Sequence, residues 1–394
     1  MKKEVFLWAS YDFANTIFSA LFITLFFPIL IKVFLGGSEF HIGLTTGIAF
    51  FLGAFIVPFL GLISDLVGLR LPFVFFATVF CIVSTIAIGL VENLNLALIL
   101  ATLAILFYHI SLDVYDALMV KIAPKAKLGF VSGFGIALGY FGTIFSVAIA
   151  FAVLSFFGFE SKMGIKAAII VTALLFGAFS IPVFLIKEKA TPKIKSFKKI
   201  IRKSFLELKE TFKKLKSSTW LFLLSSFLYN DGAQTAIVFF YLFGREMLGL
   251  TVKQFLLPYT IMALAAIIGA FLTGKTIDKF GNKKTLVSVL LVWILVILIL
   301  IFKTTFSTYI FAGIVGGAAL GGLWSVTRTA LVQFVPKHKL GEMFGFHGLT
   351  EKFGGFLGPL VFGFIVASFG YKIGLFVLLL FFLVAFGIIF KLEF

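Results

Sequence analysis

Seven charged side chains lie inside long apolar stretches of this sequence, where charge is costly and usually serves a function. Five of them are acidic and two are basic. If all were ionised together they would repel one another, so at least one carboxyl group is expected to carry a proton part of the time. The seven residues are Asp12, Asp113, Asp116, Asp231, Arg328, Glu351 and Lys352.

Hydrogen-bonding side chains accompany these charges. His109, Asp113 and Asp116 are spaced i, i+4 and i+7, which places them on one helix face. Other polar residues surround Asp12 and Asp231, and we interpret the two groups as facing each other across a cavity. The alternative is that buried amides and hydroxyls bridge helices instead of contacting a ligand. The additional residues are Tyr11, Asn15, Tyr229, Asn230 and Gln234.

Arg328 is one of only four arginines beside 30 lysines. A guanidinium group can hold a carboxylate through two parallel hydrogen bonds, which lysine cannot do. Arg328 is therefore expected to bind a substrate carboxylate, with a permanent pairing to Asp113 or Asp116 as an equal alternative. Among the acids, Asp231, then Asp12, then Asp113 are the preferred proton sites, and structural ion pairing is the alternative for each.

The composition shows what surrounds these charges. Of 394 residues, 61% are hydrophobic and 13% are charged, whereas soluble domains carry about 25% charged residues. A water-soluble domain and a disordered chain are both excluded, which leaves a helical membrane protein. Breaks at charge, proline and glycine predict twelve spans, at 5–35, 41–64, 71–91, 94–122, 128–157, 165–186, 217–244, 254–275, 284–302, 306–335, 343–369 and 372–391.

The distribution of lysine and arginine predicts the topology. With both termini in the cytoplasm, 25 of the 34 basic residues fall on the inner side and 7 on the outer side, as the positive-inside rule requires. Residues 187–216 carry many of them and divide the chain into an N-terminal bundle, 1–186, and a C-terminal bundle, 217–394. Within this linker, apolar residues recur at helical spacing over 197–215. That spacing favours an amphipathic helix on anionic lipids over a plain loop.

Two loops share the pattern G-x-x-x-D-x-x-G-x-[R/K] at an offset of 213 residues. A second echo, between 133–142 and 345–354, has an offset of 212, so a six-helix unit is predicted to be duplicated. The aspartate of each loop can pair with the basic residue or a helix N-terminus and can release it as the units rock. The alternative is an ordinary turn. The residues are Gly61, Asp65, Gly68 and Arg70, and Gly274, Asp278, Gly281 and Lys283.

The twelve spans, the duplicated loop motif and the basic linker resemble the major facilitator superfamily. The resemblance implies two pseudo-symmetric six-helix bundles, a cavity lined by spans one, four, seven and ten, and alternating access. A narrower resemblance is to the vacuole effluxer, autophagy-related family. It rests on the residues Trp-Ala-Ser-Tyr-Asp-Phe-Ala-Asn-Thr at 8–16 and Tyr-Asn-Asp-Gly at 229–232, and it implies amino-acid efflux.

The sequence therefore predicts a proton-coupled secondary transporter of a small polar solute, with an amino acid or similar zwitterion as the preferred substrate. The alternatives are an exporter of lipophilic cations and, in another class, a membrane receptor or scaffold. No phosphate-binding Gly-Lys-Ser/Thr loop occurs in the sequence, and no enzyme activity, cofactor, metal site or nucleic-acid partner is expected. We expect a functional monomer in the cell membrane, which is the inner membrane if the chain is prokaryotic.

Overall fold

The computed structural model describes residues 3–116, 118–122, 128–188, 216–331 and 340–393. These residues form helices joined by short loops, and no strand occurs among them. Some side chains near the predicted inner face are not described, including those of residues 328 and 331–353. We call residues 3–188 the N-terminal part and residues 216–393 the C-terminal part.

The helices of the N-terminal part follow the predicted spans with one difference. The span predicted to be continuous over 94–122 ends at Asp116, and a single turn at Met119–Ile122 follows it. Pro182 lies in the tighter 3₁₀ turn that closes the sixth helix. The helices are α1 (Lys3–Phe34), α2 (Glu39–Val67), α3 (Leu71–Leu90), α4 (Leu94–Asp116), α5 (Leu128–Phe157) and α6 (Lys162–Leu185).

The C-terminal part departs from the prediction at one place. The spans predicted at 254–275 and 284–302 meet without a loop, and only Gly281 leaves helical geometry between them. The break between the two predicted spans is therefore present at Gly281, but it is shorter than the eight residues expected. The helices are α7 (Ser217–Leu248), α8 (Val252–Phe302), α9 (Phe306–Leu331), α10 (Leu340–Phe369) and α11 (Tyr371–Lys391).

Among the described residues, nine helical stretches are long and apolar enough to cross a membrane. One of them is α8, whose 51 residues are far more than the ~20 that a single crossing requires. The total of twelve spans and the cytoplasmic position of both termini stay predictions. We use "outer face" and "inner face" for the two ends that this topology predicts.

Helix α1 is wound more loosely than an ordinary α-helix. Ser19–Phe26 and Leu30–Phe34 are π-helical, and Pro28, which has no N–H to donate, lies between them. The Thr24 hydroxyl donates to the carbonyl oxygen of Ser19, five residues earlier, at 3.1 Å. In the apolar window of α1, 78% of the residues are buried, the largest fraction among the described spans. Helix α1 therefore runs through the interior of the molecule.

Most of the close helix packing occurs within each part. Helix α1 packs on α5 and α6, α3 packs on α4, α7 packs on α10 and α11, and α8 packs on α9. Among the described residues, the helix pairs that pack most extensively between the two parts are α2 with α10, α5 with α8, and α1 with α7. This pattern is compatible with the predicted duplication, although the boundaries of the two predicted bundles stay a prediction.

The second glycine of each repeated loop motif has a left-handed backbone. Gly68 ends α2 with φ 77° and ψ 4°, and Gly281 kinks α8 with φ 81° and ψ 168°. A side chain would strain either conformation, which explains glycine at both positions. Because ψ differs, the chain leaves the two glycines in different directions, through a loop after Gly68 and directly into helix after Gly281.

Candidate functional site

Asp12 lies half-buried on α1 beside two polar neighbours. The Asn15 side-chain amide donates to Asp12 Oδ1 at 3.3 Å, and the Thr16 hydroxyl donates to the Asp12 backbone carbonyl at 2.8 Å. Gly135 of α5 faces the carboxylate so closely that a Cβ there would overlap Asp12 Oδ2. The missing side chain on α5 thus leaves the room that the carboxylate occupies.

An aromatic pair joins this site to α4. The rings of Trp8 and Tyr115 stack with centroids 5.0 Å apart. The Tyr115 hydroxyl donates to the Trp8 carbonyl oxygen at 2.9 Å, and the Trp8 indole donates to the Tyr115 carbonyl oxygen at 3.4 Å. Asp12 and Asp116 both act electrostatically on Tyr115. Carboxylates from α1 and α4 therefore lie around one aromatic side chain.

The polar face of α4 becomes more accessible toward the end of the helix. His109 is buried, with its ring centroid 4.2 Å from that of Phe50. Asp113 is half-buried and Asp116 is exposed. The acidic side chains of α4 are therefore progressively less buried toward its predicted inner end.

The polar residues of α7 have a different environment, because Asn230 and Asp231 are both fully buried. Asp231 Oδ1 accepts the backbone N–H of Gly358 in α10 at 2.6 Å. Within the described part of the chain, Asp231 Oδ2 and both polar atoms of the Asn230 amide lack a hydrogen-bond partner. Gln234, one turn further, is half-buried.

Both predicted site tyrosines form hydrogen bonds within their own part of the molecule. Tyr11 is fully buried, and its hydroxyl lies 2.7 Å from that of Thr78 in α3. Tyr229 is also fully buried, and its hydroxyl lies 2.9 Å from that of Ser226 and accepts from Thr327 at 3.0 Å. These contacts bridge helices, which agrees with the alternative interpretation given for the polar residues.

Several predicted residues lie where side chains are not described. Arg328 belongs to α9, and Glu351 and Lys352 belong to α10. Gly61 and Asp65 belong to the last turns of α2. The predicted amphipathic helix over 197–215 falls outside the described residues.

The repeated loop motifs are fastened by residues that the sequence did not single out. Glu188, just after α6, accepts the backbone N–H groups of Arg70 and Leu71 through one oxygen, at 2.7 and 2.9 Å. In the second motif, Asn282 Oδ1 accepts the Thr329 hydroxyl at 2.6 Å. Asp278 is exposed and Lys283 is half-buried. In the sequence, Glu188 is distinguished only as an acidic residue at the start of the basic segment 187–216.

A second unpredicted contact joins the two parts at the outer face. Glu160, in the loop before α6, accepts Arg245 Nη1 at 2.7 Å through Oε2. Its other oxygen, Oε1, accepts the backbone N–H of Val252 at 2.7 Å. One carboxylate of the N-terminal part thereby holds both the end of α7 and the start of α8. We call this contact the outer latch.

No cluster of three or more histidine, cysteine, aspartate or glutamate side chains that could hold a metal ion occurs among the described residues. The architecture instead matches solved membrane transporters. The nucleoside transporter NupG superposes with a TM-score of 0.78, covering 99% of this chain and 99% of that chain at 15% identity. The D-xylose-proton symporter gives a TM-score of 0.74, covering 99% and 97% of the two chains at 15% identity.

Sequence relatives point in the same direction. An uncharacterized MFS-type transporter, YxiO, of Bacillus subtilis (strain 168) is 29% identical over 372 residues, covering 90% of this chain and 86% of YxiO. The multidrug resistance protein MdtG of Salmonella choleraesuis (strain SC-B67) is 24% identical over 335 residues, covering 84% and 80%. Fold and relatives together define a multi-pass membrane transporter of the major facilitator type. The chain belongs to the vacuole effluxer Atg22-like family, whose model matches residues 122–394.

Proposed function

We propose that this protein is a proton-coupled transporter of an amino acid or a similar small zwitterion. The observation that carries the proposal is the gathering of accessible carboxylates on α1 and α4. Asp12 and Asp113 are half-buried and Asp116 is exposed, and Tyr115 lies beside Asp12 and Asp116. Such a surface suits an ammonium group, which carboxylates and an aromatic ring both attract.

The other end of the substrate requires a cation. Arg328 is the proposed partner of the substrate carboxylate, since its guanidinium can form two parallel hydrogen bonds. Glu351 and Lys352 are proposed to complete the charge balance. His109, Asn15 and Gln234 are proposed to add hydrogen bonds. These roles rest on residue type and on position in α1, α4, α7, α9 and α10.

Asp231 is the preferred proton carrier, followed by Asp12. A buried carboxyl group requires a nearby cation or a proton to offset the loss of hydration. Asp231 is fully buried, and its Oδ2 has no partner among the described residues, so Oδ2 is the atom proposed to bind the proton. The D-xylose-proton symporter, which shares the fold, offers a precedent for this kind of coupling.

The test is transport by purified protein in proteoliposomes with an imposed pH gradient, screening labelled amino acids first. We expect accumulation that collapses with a protonophore, and we expect Asp231→Asn to lose accumulation while still exchanging substrate across the membrane. Accumulation that ignores the gradient, or that survives in Asp231→Asn, would contradict the proton role.

Arg328→Lys tests the substrate class separately. Because lysine keeps the charge but not the paired hydrogen bonds, affinity for a carboxylated substrate is expected to fall about tenfold. An unchanged affinity would remove Arg328 from the site. Similarity to MdtG favours a lipophilic cation as the second candidate. Transport of ethidium that Arg328→Lys leaves intact would support that candidate.

A further inference from the structure

Asp231 contacts a turn of α10 in which a proline interrupts the helix hydrogen bonds. Pro359 has no N–H, so it cannot complete the hydrogen bond that its position in the helix would make. The residue just before it, Gly358, donates its N–H to Asp231 Oδ1 at 2.6 Å. The Asp231 carboxyl group of α7 thus accepts a backbone N–H of α10 one residue before the position at which proline removes a helix hydrogen bond.

Two glycines bring α7 and α10 into backbone contact at this turn. A Cβ on Gly358 would lie 2.6 Å from Asp231 Oδ1 and 2.7 Å from the Asp231 carbonyl oxygen. A Cβ on Gly354, one turn earlier, would lie 3.0 Å from the carbonyl oxygen of Phe227. The Asp231 hydrogen bond and the glycine contacts therefore fix this turn of α10 against α7.

The opposite side of the same turn carries helix α2 of the N-terminal part. A Cβ on Gly43 would overlap the Pro359 carbonyl group, and one on Gly47 would lie 3.0 Å from the Phe356 carbonyl oxygen. The contact continues outward through Phe40 and Phe364, whose ring centroids are 6.2 Å apart. We call this contact between α2 and α10 the seam.

We propose that Asp231 is a positioning residue for transport. Its carboxyl oxygen holds the Gly358–Pro359 turn of α10 and thereby sets the surface on which α2 closes the seam. Asp231 acts through α10 and does not need to touch the substrate. This inference goes beyond the proposed function, because the hydrogen bond requires an acceptor oxygen and does not require a proton to move.

The test uses the seam itself as the readout, so it needs no substrate. Cysteines replace Phe40 and Phe364 in a Cys81→Ser background, since Cys81 is the single cysteine of the chain. Disulfide formation with copper phenanthroline is then timed in native membranes at one pH and without a gradient. Three variants are compared with the parent, namely Asp231→Asn, Asp231→Ala and Ser180→Ala.

Asp231→Asn keeps a carbonyl oxygen that can accept the Gly358 N–H, and its cross-linking rate is expected to stay within about twofold of the parent. Asp231→Ala removes the acceptor, and cross-linking is expected to slow about tenfold. Ser180→Ala removes a buried hydroxyl group that donates to the Phe176 carbonyl oxygen within α6, and as the control it is expected to leave the rate unchanged. If Asp231→Ala does not fold, Asp231→Ser replaces it, because the shorter side chain keeps polarity but does not reach Gly358.

A parent rate in Asp231→Ala or Asp231→Ser would overturn the positioning role. A slow rate in Asp231→Asn would also overturn it, because the charge and not the acceptor would then be what matters. The proton role is judged independently by gradient-driven accumulation. An Asp231→Asn variant with a normal seam and no accumulation supports both proposals, whereas a normal seam with normal accumulation supports positioning alone.

Discussion

Asp12 in α1 and Asp231 in α7 lie in corresponding helices of the predicted repeat, yet their surroundings differ. Asp12 is half-buried and accepts a side-chain amide from its own helix. Asp231 is fully buried and accepts a backbone N–H from another helix. The first carboxyl group lies in a partly accessible polar site, while the second is part of the packing between two helices. A shared position in a repeat therefore does not imply a shared role.

The loops at the outer face also differ between the two parts, in the type of chemical group that holds them. In the N-terminal part, the Lys166 ammonium group donates to Glu92 at 2.5 Å and to the Val91 carbonyl oxygen at 2.7 Å, and Lys162 also pairs with Glu92. In the C-terminal part, hydroxyl groups do this work, with Thr308 donating to the Lys303 carbonyl oxygen at 2.7 Å. Charged groups thus hold the loop between α3 and α4, and neutral hydrogen bonds hold the loop between α8 and α9.

The sharpest test of this comparison adds a single methyl group to one helix contact in each part of the molecule. Gly358→Ala would meet the Thr235 hydroxyl group and also the Asp231 carbonyl oxygen at 2.7 Å. Because that backbone oxygen cannot rotate aside, the change is expected to lower the free energy of unfolding by about 3 kcal/mol. Gly139→Ala in α5 would meet chiefly the Thr16 hydroxyl, 2.6 Å away, which can rotate aside, so the cost should be below about 1 kcal/mol. Thermal unfolding in detergent measures both.

Gly387→Ala serves as the control, because a Cβ there would meet no described atom within 4 Å. Equal losses at Gly358 and Gly139 would remove the distinction between a tightly packed C-terminal contact and a tolerant N-terminal one.

Alanine at each acid tests the same distinction through hydrogen bonding. Asp231→Ala leaves the Gly358 N–H buried without its side-chain acceptor, at a cost of about 2 kcal/mol. Asp12→Ala should cost less than about 1 kcal/mol, since that carboxyl group is only half-buried. The comparison fails if unfolding transitions show Asp12→Ala to be the more destabilising change.

The two loop motifs at the inner face can be compared by the effect of salt on the stability that each contact contributes. Glu188→Ala removes a charged acceptor from the first turn of α3, at about 1 kcal/mol in low salt, and added salt should shrink this loss. Asn282→Ala removes a neutral hydrogen bond to Thr329 of similar strength, and salt should not alter its effect. Unfolding midpoints at two salt concentrations distinguish them, with Glu188→Gln as the control that retains an acceptor. If salt changed the effects of Glu188→Ala and Asn282→Ala equally, the contact in the first motif would not depend on charge.

The smallest expected effect concerns pH. Hydrogen bonds from Lys162 and Lys166 lower the pKa of Glu92 below its ordinary value. A carboxyl group whose pKa is lowered by folding stabilises the fold above its unfolded-state pKa, and this contribution disappears as pH falls through the lower folded-state pKa. The wild type should therefore lose a small advantage over Glu92→Gln on acidification. A difference between them that is constant from neutral to acidic pH would rule out this ion pair as a contributor.

Sequence patterns predicted the helices well because apolar runs of membrane length leave few alternatives. They also marked Gly68 and Gly281, since the repeated motif required glycine at both. The Asp231–Gly358 contact could not be predicted, because it joins residues 127 positions apart through a backbone group that every residue type shares. The length of the break at Gly281 was overestimated because the charged residues over 275–284 resemble a connection, although helices can carry such residues at the membrane surface.

The outer latch has a consequence for the order of events at that face. Because a single carboxylate serves both Arg245 and Val252, the end of α7 and the start of α8 must leave Glu160 together, or one oxygen remains charged without its partner. Separation of the two parts at that face therefore has to break both interactions of this one side chain. Since Arg245 and Glu160 are only partly shielded, with side-chain exposures of 24% and 38%, dissolved ions at that face weaken their attraction.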